Sequence, residues 1–263
     1  MMDIQLNGKT AVVCGSSQGI GRAVARQLAQ QGARIILFAR NLETLQQVAD
    51  SLDVSAGQQH QILTADFSEP ESVLHTIQAW VAEGHTAEIL VNNTGGPPPG
   101  LAHQADAGAF LSAFNQHLIN NHNLLQQLLP GMQAAAYGRV INVISTSVKQ
   151  PLPALGVSNT VRGAVASWAK TLANELGQHN ITVNNVLPGA TETARLQSIF
   201  ENKARKLNLT VEEVIENERN GIPMRRFGQP EEFANVVGFL ASPAAAYVNG
   251  INVPVDGGRT GSL

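Results

Sequence analysis

The chain has 263 residues, 43% of them hydrophobic, enough to bury a full core in a single α/β domain. Seventeen basic residues against 20 acidic ones argue against a nucleic-acid or anionic-membrane surface, and the lone Cys14 argues against a disulfide framework or a cysteine-rich metal site. The histidines show no metal-ligand spacing, no apolar run has the length of a membrane span, and Met1 to Asn7 lack the pattern of a secretory leader, so a soluble cytoplasmic protein is expected.

The first element is the apolar run Ala11-Val12-Val13, which stops at Cys14-Gly15-Ser16-Ser17-Gln18-Gly19-Ile20-Gly21. Ile20, Val24, Ala25 and Leu28 then recur at helical spacing, so a buried strand leads through a glycine turn into a helix. Glycine alone permits that turn and lets backbone N–H groups approach a phosphate at the positive end of the helix, which points to a dinucleotide site. The spacing is G-x-x-x-G-x-G. A second strand is expected at Arg34–Phe38, with a helix through Leu42, Leu45, Val48 and Leu52; a third at His60–Leu63, with a helix through Val73, Ile77, Trp80 and Val81. Glu88–Val91 forms the fourth, ending at Asn92-Asn93-Thr94-Gly95-Gly96, and one long helix is expected from Ala107 to the Leu129-Pro130 boundary. Arg139–Ile144 is the fifth strand, Val157–Leu176 a helix, Ile181–Val186 the sixth strand before Pro188-Gly189, Glu231–Leu240 a helix and Ile251–Val255 the last strand. This alternation predicts a Rossmann-type, doubly wound parallel sheet in one domain spanning residues 1–263.

The polar stretch from Thr191 to Arg226 interrupts the rhythm and is read either as a substrate lid or as a solvated surface excursion. Gly95-Gly96-Pro97-Pro98-Pro99-Gly100 is either a stiff wall of the substrate pocket or a stiff connector. At the end of the second strand, Ala39 and Arg40 stand where an acid would bind ribose hydroxyls. A small residue followed by a permanent cation suits a 2′-phosphate, so NADP(H) is favoured over NAD(H). Arg22 lies inside the following helix and is a weaker choice.

Taken together and in order, Gly15 to Gly21, Asp66, Asn92-Asn93-Thr94-Gly95, Pro188-Gly189-Ala190-Thr191-Glu192-Thr193 and Val255-Asp256-Gly257-Gly258 make the chain resemble the classical short-chain dehydrogenase/reductase family, most of all its 3-oxoacyl-acyl-carrier-protein reductase-like members. The resemblance implies a nicotinamide cofactor bound by Gly15, Ser17, Gln18, Gly19, Ile20 and Gly21. It places Asp66 and Phe67 at the adenine, Asn92 and Gly95 along the adenosine side, and Thr191 and Thr193, after Pro188 and Gly189, at the nicotinamide and pyrophosphate. It also implies a homo-oligomer, in particular a tetramer. Cys14 replaces the family's usual threonine.

The family's proton relay is a serine, a tyrosine, a lysine four residues on and an asparagine in the long helix. Ser145 matches the serine, while the other three positions fall on Ser158, Arg162 and His117. A phenol can be tuned toward neutrality, an aliphatic hydroxyl much less so, and an arginine does not relay protons. Arg162 can still neutralise a developing alkoxide and hold ribose hydroxyls. His117, with an ordinary imidazole pKa, and Lys149, just beyond Ser145, are the candidate substitute acids, the alternatives being a structural or solvent-facing helical histidine and a surface loop cation. Two functions follow: an oxidoreductase acting on a small carbonyl or secondary alcohol through an altered relay, or a cofactor-binding protein with a sensory or assembly role.

Overall fold

The computed structural model describes residues 2–262. Its elements run in chain order: β1 (Thr10–Cys14), α1 (Gly19–Gln30), β2 (Arg34–Ala39), α2 (Leu42–Ala49), β3 (Gln61–Thr64), α3 (Pro70–Ala82), β4 (Ile89–Asn92), α4 (Ala107–Phe114), a π turn (Asn115–Ile119), α5 (Asn120–Ala134), β5 (Gly138–Val143), α6 (Gly156–Leu176), β6 (Ile181–Pro188), α7 (Ala194–Leu207), α8 (Val211–Asn220), α9 (Pro230–Ala241) and β7 (Asn252–Val255). All seven strands pair in parallel, in the order β3-β2-β1-β4-β5-β6-β7. The order reverses between β1 and β4, and ligands of such sheets bind in the crevice beyond that switch point.

The period of the strands divides the core in two. On β1, Ala11 and Val13 face one side and pack with Val24 and Leu28 of α1 and with Phe233 and Val237 of α9. Val12 and Cys14 face the other side, among Val73 and Ile77 of α3 and Leu124 and Leu128 of α5. Both faces are covered, so the strands read as continuous apolar runs rather than alternating ones. Burying each of these large side chains stabilises the fold by about 1.5–3 kcal/mol.

The expected elements are found, with two corrections. The long helix after β4 is not continuous: α4 and α5 are joined by the π turn, and buried His117 sits in it. The helix also does not stop at Leu129-Pro130 but carries Pro130 inside α5. Proline removes one helical N–H, and both Pro130 and Gln126, whose carbonyl loses that partner, lie on the exposed side, where water can replace it. Several strand ends shift by a residue, and β6 runs on to Pro188.

The stretch 191–226 carries secondary structure of its own. It folds into α7 and α8, which enclose a small apolar cluster of Phe200, Ala204, Val214, Ile222 and Phe227. Its base is tied down by a bridge between Thr191 and Gly228.

Candidate functional site

The glycine turn lies at the carboxyl end of β1. Gly15 has a φ of +60°, and a β-carbon there would come within 2.5 Å of the Asn93 carbonyl oxygen; one on Gly21 would run into the Gly15 carbonyl. Side chains are excluded at both positions by backbone, and the loop is pinned to β2 by Gly15 N–H donating to Phe38 O at 2.8 Å and Phe38 N–H donating to Ser16 Oγ at 3.0 Å. Gln18, exposed and extended, gives α1 no side-chain cap. The first-turn N–H groups of α1 are left for an anion. Ser17 and Gly19 flank this turn, and Ile20 packs back against the core. An uncapped helix start behind a bare glycine turn fits the pyrophosphate of a dinucleotide.

At the far side of the crevice, Arg40 follows buried Ala39 at the end of β2. Its side chain is 78% exposed, and its Nη1 lies 3.5 Å from Asp66 Oδ2. Asp66 accepts hydrogen bonds from Ser68 N–H at 2.9 Å and Ser68 Oγ–H at 2.8 Å. Those bonds, with the Arg40 charge as a smaller cause, hold its carboxyl below the usual range. Asp66 thus closes a turn ahead of α3 and still presents Oδ2 to the crevice side where Arg40 stands. Phe67 beside it is buried with its ring edge-on against Phe38, 5.2 Å between centroids, so its side chain backs this side of the crevice from within the core. Arg22 is exposed on α1.

Between these groups runs a feature that no motif announced. Asn92 Nδ2 donates to Asn142 Oδ1 at 2.8 Å, Asn142 Nδ2 to Asn185 Oδ1 at 2.9 Å, and Asn185 Nδ2 to Asn252 Oδ1 at 2.8 Å. The register of β4 to β7 sets all four asparagines at one level, forming a polar rail beneath the strand ends. Asn92 Oδ1 ends the rail, buried and without a partner among the described residues. Beyond β6, a β-carbon on Gly189 would meet Asp256 Cα at 2.5 Å, which brings the Asp256-Gly257-Gly258 turn against Pro188-Gly189. Thr191 Oγ1 donates to Gly189 O at 3.2 Å. Thr193 Oγ1 caps α7 by accepting from Leu196 N–H at 3.2 Å, and its methyl lies 3.2 Å from where a β-carbon on Gly19 would be. The start of α7 therefore stands directly across from the glycine turn.

At the middle of the crevice, Ser145 follows β5 and its Oγ accepts from Ser147 N–H at 3.1 Å. Arg162 of α6 is buried and donates from Nη1 to Val143 O at 3.0 Å, which sets its guanidinium beside the same strand end. Ser158 is half-buried one turn earlier on α6, on the Arg162 face. Burial, and then the charge of Arg195, lower the Arg162 pKa to about 10, so it remains a cation at neutral pH. Gly96 borders this cation, and Arg195, from the first turn of α7, donates through Nη2 to Gly96 O at 3.3 Å. The proline segment that follows is tied to the loop before α6, with Gly100 N–H donating to Ala154 O at 2.8 Å and Gly156 N–H to Gly100 O at 2.9 Å.

His117 is also brought here, but in a different state from the one expected. Its Nδ1 is 2.6 Å from Thr94 Oγ1, and its Nε2 is buried without a partner among the described residues. Burial first, and then the charges of Arg162 and Arg195, push its pKa down to about 3. A ring neutral throughout the physiological range does not serve as an imidazolium acid, which corrects the role expected from its ordinary pKa. Lys149 is half-buried at the end of the single turn Thr146–Val148. Cys14 is wholly buried, and its thiol is pushed up to about 12 by desolvation, so it is chemically inert. Among the described residues there is no His/Cys/Asp/Glu cluster suited to a metal ion, and no helix is long and apolar enough to cross a membrane.

Sequence reasoning missed the asparagine rail, Thr94 and Arg195. Two of the asparagines did carry a signal, since Asn92 and Asn142 interrupt apolar runs near the carboxyl ends of β4 and β5. Arg195 carried none, being 99 residues from the glycine it touches.

This arrangement has close counterparts. Residues 15–260 match the family model described as enoyl-(acyl carrier protein) reductase. The NADPH-dependent reductase BacG of Bacillus subtilis (strain 168) is 29% identical, the match covering 98% of this chain and all of that protein. A 3-oxoacyl-[acyl-carrier-protein] reductase, FabG, of Pseudomonas aeruginosa is 34% identical, over 97% of this chain and 98% of the relative. The crystal structure of L-sorbose reductase from Gluconobacter frateurii, in complex with NADPH and L-sorbose, superposes with a TM-score of 0.93 at 32% identity over the whole of both chains. With its parallel sheet order and these matches over nearly its whole length, this chain belongs to the short-chain dehydrogenase/reductase family.

Proposed function

We propose that this protein interconverts a carbonyl and a secondary alcohol with NADP(H), holding the reacting oxygen with Ser145, Ser158 and Arg162. The protein is an NAD(P)-dependent oxidoreductase of its family, and named relatives are NADPH-dependent reductases. The observation that carries the specific reading is the buried Arg162 guanidinium beside Ser145, a fixed cation in a desolvated crevice with no carboxylate paired to it among the described residues.

On this reading Ser158 and Arg162 occupy the positions of the family's tyrosine and lysine. When bound, the nicotinamide gives or takes a hydride at the substrate carbon. Ser145 Oγ already accepts from Ser147 N–H, which leaves its own hydrogen to donate to the substrate oxygen. Arg162 opposes the negative charge that gathers on that oxygen, a preorganised electrostatic contribution. Reduction also adds a proton to oxygen; a serine hydroxyl hands its proton over while taking one from water, so solvent is the source, because neither Arg162 nor His117 supplies it near pH 7. Arg40 takes the 2′-phosphate, and the α1 start takes the pyrophosphate. The α7–α8 unit covers the substrate as a lid, and the cytoplasmic tetramer expected from the resemblance belongs to the same reading.

Calorimetric titration with NADPH and NADH, repeated with Arg40→Ala, tests it. NADPH is expected to bind the wild type tighter, and the variant to lose about tenfold or more toward NADPH with little change toward NADH. Absence of binding by either nucleotide to the wild type would reject the cofactor reading.

A further inference from the structure

Two arginines from distant parts of the chain converge on one point of the crevice. The place that a β-carbon on Gly96 would take lies 3.1 Å from Arg195 Nη2 and 3.6 Å from Arg162 Nη2. On Gly95 the corresponding place is 3.4 Å from Arg195 Nη1. Gly95 and Gly96 thus leave a small gap in front of both guanidinium groups, where any side chain would crowd them.

Nothing acidic answers these charges. Neither arginine forms an ion pair among the described residues, although five other pairs form elsewhere. Their hydrogen bonds among the described residues go to backbone carbonyls, Val143 O for Arg162 and Gly96 O for Arg195, and to no carboxylate. The backbone adds to the imbalance. Arg195 lies in the first turn of α7, a 14-residue helix with no acidic residue in that turn, so its charge stands at the positive end of the helix. Cations at that end are unfavourable unless an anion is bound. Buried Arg162 is costlier still without a counter-charge.

The cofactor's pyrophosphate has its own cradle at the glycine turn and the uncapped start of α1. Thr193 faces that cradle, whereas Arg195, two residues on, faces Gly95 and Gly96.

We propose that Arg195 and Arg162 form an oxyanion subsite, so that the substrate is a carbonyl or alcohol compound carrying a carboxylate or phosphate close to the reacting carbon. Guanidinium forks match both groups bidentately. The proposal rests on the oxidoreductase reading above for the reacting carbon, but anion capture itself does not depend on turnover. Arg195 is exposed and anchors no core, and its placement on α7 makes the lid a substrate-reading element rather than a cover alone.

Ligand-observed saturation-transfer NMR tests it on the whole protein, with and without NADP⁺. The probes are two matched pairs: acetoacetate against methyl acetoacetate, and dihydroxyacetone phosphate against dihydroxyacetone. The charged member of at least one pair is expected to give a signal at least fivefold above its neutral partner. Arg195→Gln should abolish that difference and Arg195→Lys should partly restore it, while the NADP⁺ dissociation constant from calorimetry stays within twofold. The pair that separates identifies carboxylate or phosphate. Equal signals within both pairs, or an undiminished preference in Arg195→Gln, would overturn the subsite. A tenfold loss of NADP⁺ affinity in that variant would also overturn it, by assigning Arg195 to the cofactor. Failure of NADP⁺ to bind the wild type strikes the cofactor reading instead, and the anion preference is then read from the cofactor-free arm.

Discussion

Removing the imidazole of His117 should change how the protein responds to acid. The folded pKa lies at about 3 against 6.5 for a free histidine. Between these values the unfolded chain binds a proton that the native state refuses, so stability rises with pH across the window and is lost on acidification. From pH 7 to pH 5 the loss comes to about 2 kcal/mol, following the slope of roughly 1.4 kcal/mol per pH unit below 6.5. His117→Asn keeps a polar group that can meet Thr94 but removes the titration. Denaturant unfolding at half-unit steps from pH 7 to 5 is the assay, read as the difference between wild type and variant. The remaining histidines and the surface carboxylates are shared and cancel. Whatever the variant's stability at pH 7, it should lose about 2 kcal/mol less than the wild type by pH 5. Parallel profiles, or an imidazole resonance of His117 titrating near 6.5, would refute the account of a ring desolvated and crowded by two arginines.

Two other substitutions probe the frame and the charge. Arg162→Met keeps much of the side-chain volume and removes the cation; turnover should fall by about 10²–10³ while NADPH binding weakens much less, measured by steady-state kinetics beside calorimetry. An equal loss in both would make Arg162 a cofactor ligand only. Gly21→Ala drives a β-carbon into the Gly15 carbonyl and deforms the phosphate turn; nucleotide binding should fall at least tenfold, and an unchanged affinity would show that the turn is not the pyrophosphate site.

The sheet was legible because a parallel strand covered on both faces must be apolar along its length, and short apolar runs such as Ala11 to Val13 or Ile35 to Leu37 alternate with helix-period segments. The glycine turn was legible because the residue type is forced by backbone contacts within the turn and with its neighbour Asn93. What escaped depends on register and on tertiary approach. Asn142 within Val140-Ile141-Asn142-Val143 looks like a flaw in a strand until pairing sets it level with Asn92 and Asn185. The π turn escaped because the apolar repeat carries on through it, and a single widened turn leaves little trace in the sequence. Pro130 was read as a stop because local sterics are clear, whereas its exposed setting is not. The position of His117 in the crevice was anticipated from the family pattern, but its charge state was not, because burial and two remote arginines decide it.

The same electrostatics constrain the chemistry. A relay built on a tuned phenol or imidazole carries a group that changes charge near neutrality, and its rate follows that group. Here the two side chains at the crevice centre whose pKa values are most displaced still titrate well away from neutrality, His117 pushed down to about 3 and Arg162 lowered only to about 10. Neither changes charge between pH 5 and pH 8.5. If serine hydroxyls and water carry the proton while Arg162 supplies a constant field, kcat under saturating cofactor and substrate should be level across that range, within about twofold. The window must be read from kcat rather than kcat/KM, because an anionic substrate and the 2′-phosphate titrate in solution and affect binding. A limb with an apparent pKa between 6 and 8 would show that another side chain donates the proton, and Lys149, just past Ser145, is then the first to replace. A level profile that keeps its shape in Lys149→Met but collapses in amplitude with Arg162→Met would instead separate the two tasks the family's tyrosine–lysine pair combines: charge stabilisation would rest on the arginine, and proton delivery on hydroxyls that never need to ionise.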